Sequence, residues 1–192
     1  MSKGEATREA ILDAAGRLAG RVGLGGMTIG SLAAGTGLSK SGLYAHFRSK
    51  ESLQVQVLEH TRARFVTEVV APALTAPRGE PRVRAIFENW LRWAAQPSGC
   101  PFVAFSSELD DQPGPVRDRL VRDQRDWRDT LAEVFRTGVA EGQFTGDPEQ
   151  FAFDLDGVML SCHMSSRLLG DKAAEARARR AFESLLAAAR AG

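Results

Sequence analysis

The stretch from Thr28 to Lys50, TIGSLAAGTGLSKSGLYAHFRSK, most constrains what this chain can fold into. Thr28 is a good helix N-cap, and Ile29, Leu32 and Ala33 give the helix behind it one apolar face. Gly35 and Gly37 limit that helix to about two turns. Leu38 then points inward, and Ser39 caps a second short helix from Lys40 to about Phe47, with Leu43 and Phe47 on its inner side. The spacing Ala33-x-x-x-Gly37 sets a small residue where the second helix crosses and a glycine in the turn, so Leu32 and Leu43 meet at the crossing. Two short helices joined in this way are the pattern of a helix-turn-helix, whose second helix enters the major groove of DNA.

The flanking chain reads as helix throughout. Ala10, Ile11, Ala14, Ala15 and Leu18 recur at helical spacing from about Ala6 to Val22, and Gly23, Gly25 and Gly26 stop that helix. Ser49 caps a long helix with Glu51 in its first turn; its apolar period runs through Leu53, Val57, Leu58, Phe65, Val66, Val69 and Val70 to about Ala71, where Pro72 breaks it. Pro81 opens another helix, with Val83, Ile86, Phe87, Trp90, Leu91 and Ala94 on one side. Cys100 to Leu109 predicts a helical turn or two, and Val116 to Ala140 a long helix with Leu120, Trp127, Leu131, Val134 and Phe135 buried. Asp147-Pro148-Glu149-Gln150 is a strong helix start for a run to about Leu169. The last helix spans Ala173 to Arg190. No segment alternates with period two, so the chain is expected to be all-α, with about nine helices.

Composition narrows the function. Apolar residues make up 43% of the 192, enough for a sizeable core. The chain's net charge is only +1, but residues 1–50 hold seven basic side chains (Lys3, Arg8, Arg17, Arg21, Lys40, Arg48, Lys50) against three acidic ones (Glu5, Glu9, Asp13). That head is therefore +4 and the remainder −3, which favours polyanion contact through the head alone. Cys100 and Cys162 fit neither a disulfide framework nor a metal-ligand spacing, so no metal or cofactor is expected and a reduced, cytoplasmic setting is the default. The first ten residues lack the apolar run of a signal peptide, and no stretch suits a membrane span.

Gly37 to Leu53, GLSKSGLYAHFRSKESL, resembles the recognition helix and following helix start of TetR-type transcriptional repressors. The likeness extends back through Thr28-Ile29-x-x-Leu32-Ala33 and the amphipathic first helix. Leu24 departs from it, where such proteins often carry an aromatic; leucine can fill the same space. The Gly23 to Gly26 loop is also unusually glycine-rich. The resemblance implies a helix-turn-helix DNA-binding domain over residues 1–50 and a helical effector-binding and dimerisation domain over 51–192. It also implies phosphate contacts from Thr28, Tyr44, His46 and Lys50, roles that suit helix N-termini and cations. Ser39, Lys40, Ser41 and Gly42 open the recognition helix and face outward. Lys40 can donate to guanine O6 or N7, serine can bond several bases, and Gly42 allows close approach to the groove wall.

One such head has a small footprint, so useful specificity calls for two half-sites and hence a homodimer on a palindromic operator. Phe153, Gly157, Leu160, Ser161 and Met164, with Phe182, Leu185, Leu186 and Ala189, give the last two helices faces for a four-helix bundle between subunits. Aromatics concentrate between residues 87 and 127. Phe87, Trp90, Trp93, Phe102, Phe105 and Trp127, with His163, are candidates to line a small-molecule pocket; Cys100, Ser106, Ser107, Glu108 and Cys162 could add polar contacts. Trp93, off the main stripe of its helix, is expected to face a cavity or partner. The resulting expectation is a ligand-released repressor. An activator, or a helical interaction module without effector, are the alternatives. His46, His60 and His163 are scattered and no HExxH, phosphate loop or GxSxG is present, so no enzyme is expected.

Overall fold

The computed structural model describes residues 3–190; the outermost residues of the two expected domains, 1–2 and 191–192, lie outside it. In chain order the helices are α1 (Lys3–Gly26), α2 (Ile29–Thr36), α3 (Lys40–Phe47), α4 (Lys50–Phe65), a π-helical turn (Val66–Val70), α5 (Ala71–Leu74), α6 (Glu80–Ala94), α7 (Pro101–Leu109), α8 (Pro115–Ala140), α9 (Pro148–Arg167) and α10 (Ala174–Ala189). No strand occurs among the described residues; one isolated bridge joins Phe144 and Arg190. The chain divides into two compact units, Met1–Arg64 with Cys100–Asp123, and Phe65–Gly99 with Gln124–Gly192.

In the first unit, α1 buries Ile11, Leu12, Ala15 and Ala19. The stripe is offset from the one expected: Ala10 is exposed and Leu18 half-buried. At Gly23 the backbone leaves helical geometry (φ 79°, ψ 165°), so the chain bends where the glycines predict. Leu24 and Met27 then drop fully into the core beside Leu32, Leu43 and Phe47, and Leu24 fills its place without an aromatic ring. On the outer side His60 Nε2 pairs with Asp13 at 2.8 Å and Arg8 donates to Gln56 at 2.6 Å, tying α1 to α4. Asp123 is buried between Arg62 (3.1 Å) and Arg119 (3.0 Å), which offset the cost of desolvating its charge.

The helix from Ser49 runs further than expected, unbroken through Pro72 to Leu74. The π-helical turn lies just before that proline. A widened turn there relieves the clash that the pyrrolidine ring would make with the preceding turn. Within that turn Val69 O accepts from the buried Asn89 Nδ2 at 2.9 Å.

The core of the second unit is aromatic. Phe87 of α6 stacks on Phe182 of α10 with centroids 4.1 Å apart. Phe135 of α8 stacks on Phe151 of α9 at 4.1 Å and on Phe144 at 4.9 Å. Phe65 meets Trp93 and Trp127 edge-on at 5.4 and 4.9 Å. Ion pairs clasp α6 to α10 over this core: Arg84 with Glu183, Glu88 with Arg179, and Glu80 with Arg190 at 2.8 Å.

Candidate nucleic-acid interface

The α2–α3 pair is built by three local devices. Thr28 Oγ1 accepts from Ser31 N at 3.0 Å while Thr28 N donates to Ser31 Oγ at 3.0 Å, a reciprocal capping box with serine in place of the usual Glu or Gln. Gly37 closes α2 in the left-handed conformation (φ 70°). A side chain there would meet nothing within 4 Å, so this glycine is required by the turn and not by packing. Ser39 Oγ accepts from Gly42 N at 3.1 Å and starts α3. Arg48, at φ 62°, makes the abrupt exit from α3, and Ser49 Oγ accepts from Ser52 N at 3.0 Å to open α4.

With Leu43 and Phe47 buried, the opposite face of α3 stands free. Tyr44 is 53% exposed. Lys40, Ser41, Ala45 and Arg48 are exposed as well, and His46 is half-buried with its ring 6.0 Å from that of Phe47. Ser39 and Ser41 share a hydrogen bond at 3.1 Å, so both hydroxyls are oriented before any base is met. Lys40 does not project straight from α3. Its Cε lies 3.7 Å and its Nζ 4.0 Å from where a Gly30 Cβ would be, with Thr28 Oγ1 at 3.7 Å from the same point. That brings a cation and a hydroxyl to the N-terminal turn of α2, groups that suit an anion. Lys50 donates to Gly25 O at 2.7 Å and keeps two further protons for an anion. Ala45 and Arg48 share this exposed side of α3, which the sequence reading did not single out. Alanine offers only a methyl group, which can pack on a thymine methyl, and Arg48 is a cation in a turn.

The candidate effector residues fall in both compact units. Phe102 and Phe105 are buried in the first unit, while Phe87, Trp90, Trp93, Trp127 and His163 belong to the second. Phe87 packs on Phe182, and Trp93, expected to face a cavity or partner, is 3% exposed and edge-on to Phe65. Burial, reinforced by Arg167, holds the His163 imidazole below its ordinary pKa. Burial raises the carboxyl pKa of Asp156, against the pull of Arg128 and of the Trp127 indole. Glu108, expected as a polar contact for a ligand, instead accepts from the backbone of Leu24 and Gly25 in the first unit.

The candidate dimer residues split by face. Phe153 (61% exposed), Leu160 (38%) and Met164 (51%) stand outward on α9. Gly157 is exposed beside them, and a Cβ there would meet nothing within 4 Å. Phe153, Gly157, Ser161 and Leu185 line an open groove of about 610 Å³ between α9 and α10. Phe182 and Leu186 face the other way. They are 2% and 0% exposed and belong to the chain's own core, because α10 must bury one stripe against α6. Ala189 is half-buried. Cys162 sits at the groove with its thiol pushed up by burial and by nearby Glu175. No group of residues able to hold a metal and no helix long and apolar enough to cross a membrane occurs among the described residues.

A helix-turn-helix with a free recognition face, followed by a helical second region, defines a DNA-binding regulator class of protein. Residues 11–57 match the model described as bacterial regulatory proteins, tetR family, and residues 79–182, more than half the chain, match the tetracyclin repressor-like C-terminal domain. The chain belongs to the TetR family of transcriptional regulators. Among solved structures, it is 26% identical to a TetR transcriptional regulator from Chloroflexus aurantiacus J-10-FL, covering 100% of both chains with a TM-score of 0.84. It is 25% identical to E. coli NemR in its reduced form, over 95% of this chain and 94% of that one, with a TM-score of 0.77. A transcriptional regulator from Saccharomonospora viridis in complex with choline shares the fold at 21% identity, over 99% and 100% of the two chains, with a TM-score of 0.84. No curated protein sequence matches.

Proposed function

We propose that the chain is a homodimeric, non-enzymatic repressor that holds a palindromic operator and releases it when a small molecule binds. Residues 1–50 form the DNA-binding domain and 51–192 the effector and dimerisation domain. The observation that carries this reading is the exposed face of α3, with Lys40 and Thr28 together at the start of α2. Thr28, Tyr44, His46, Lys50 and Lys40 hold the backbone. Ser39, Ser41 and Gly42, with Ala45, meet base edges. Lys40 is assigned to phosphate in place of guanine because its ammonium reaches the N-terminus of α2.

Dimerisation is supported by the outward apolar residues of α9, which a second copy would cover with the same face in a two-fold arrangement. A partner helix fits the groove at Gly157 because no side chain fills it. An effector is supported by the choline held by the Saccharomonospora relative. The effector has to favour the DNA-incompetent state, by moving the helix from Ser49 and changing the spacing of the two recognition helices. The working compartment is the cytoplasm.

Selection of bound duplexes from a random pool tests the reading. The expected product is an inverted repeat with half-sites about one helical turn or more apart. A pool that shows no enrichment over many rounds would refute it.

A further inference from the structure

The glycine-rich end of α1 has a partner that its sequence does not announce. The two carboxylate oxygens of the half-buried Glu108 accept the backbone N–H groups of Leu24, at 2.8 Å, and of Gly25. Consecutive amides turned toward one anion form a nest, and the φ of 79° at Gly23 is what turns them. The glycines also make room. A Cβ on Gly23 would lie 2.6 Å from Glu108 Oε2, and one on Gly25 would lie 2.7 Å from Oε1. The same two residues are held from their other side: Leu24 O accepts from Gln54 Nε2 at 2.8 Å, and Gly25 O from Lys50 Nζ at 2.7 Å. Both polar edges of this short segment are therefore fixed, the N–H edge by α7 and the C=O edge by α4. Three residues after Gly25 comes Thr28, the cap of α2. The joint so formed leads directly into the α2–α3 pair. Its α7 half begins two residues after Gly99, where the second unit's first segment ends.

We propose that Glu108 is a positioning residue for DNA binding: its carboxylate clamps Leu24 and Gly25 and so sets the orientation of the α2–α3 pair. This rests on the DNA-binding reading above. The residue touches no DNA. A neutral side chain of the same length satisfies only one of the two amides, because glutamine offers one acceptor oxygen and one NH2 group.

The test uses the full-length protein and its selected operator, together with a second duplex whose half-sites are one base pair further apart. Glu108→Ala and Gly25→Ala are each expected to lower the preference for the correct spacing by about tenfold, from the loss of charge-assisted hydrogen bonds. The double variant is expected to lose no more than either single one, because both break the same contact. Glu108→Gln should fall between. Amide exchange at Leu24 and Gly25 should quicken about tenfold in Glu108→Ala, while exchange within α4 stays unchanged. If both variants keep the wild-type spacing preference on an operator the wild type has selected, the positioning role is overturned and the DNA-binding reading stands. Additive losses with unchanged spacing preference indicate a general structural defect and also overturn it. If the wild type selects no DNA, the DNA-binding reading and the positioning role fall together, and the exchange measurement alone reports whether the clamp forms.

Discussion

Phe182→Ala distinguishes the two faces of α10. The ring is 2% exposed, lies flat on Phe87 at 4.1 Å and is covered by the Arg84 guanidinium at 5.8 Å. A buried aromatic ring removes roughly 150–200 Å² from water, worth about 4 kcal/mol at 25 cal/mol per Å². Alanine recovers a little of this, and the cavity it leaves adds a similar amount back, so the expected loss is about 3–5 kcal/mol. For a chain of this size that lowers the thermal midpoint by about 10 °C. Urea and thermal unfolding followed by circular dichroism measure it. Each is run at several protein concentrations, since a loss that acts through subunit association fades on dilution as both proteins become monomers, whereas a core defect persists in the single chain. Phe153→Ala is the control: at 61% exposure it should change the fold of one chain by less than about 0.5 kcal/mol and act on subunit association instead. A loss below about 1 kcal/mol for Phe182→Ala, or one that vanishes on dilution, would refute the assignment of this ring to the intrachain core.

Lys50→Ala should weaken operator binding and reduce the slope of log affinity against log salt by about one, measured by fluorescence anisotropy from low to physiological salt. Tyr44→Ala should weaken binding to all sequences alike, with melting unchanged because the side chain is exposed. The Glu80 carboxyl is lowered from 4.5 to about 2, chiefly by its hydrogen bond to Arg190 and then by Arg84, against the opposing effect of burial. A depressed carboxyl stabilises the fold above its unfolded pKa and loses that contribution as pH falls through the folded one. Glu80→Gln should therefore cost on the order of 1 kcal/mol at pH 7, and the difference from wild type should shrink from about pH 4.5 to pH 2 in acid-unfolding curves. Asn89→Ala strands the Val69 carbonyl beside the π-helical turn and should cost about 1–3 kcal/mol in urea unfolding.

The sequence by itself determined the elements whose information is local. Thr28, Ser39 and Asp147 each cap the helix expected of them, because a side-chain oxygen two or three residues from an open amide needs nothing from the rest of the chain. Gly37 and Gly23 likewise mark turns through their own φ angles. The helix-turn-helix and its family were legible for that reason. Tertiary structure decided the facing of residues that a periodic stripe leaves open. Phe153 and Phe182 look alike as apolar positions on consecutive helices, yet one is exposed and the other stacks on Phe87 of α6, since only the packing partner breaks the tie. The same holds for Trp93, which falls off the α6 stripe but finds Phe65. It holds most of all for Glu108, a polar residue near a candidate pocket in sequence, whose carboxylate closes on two amides more than eighty residues away. No pattern along one chain segment encodes that contact, because its other half is backbone and carries no side chain to read.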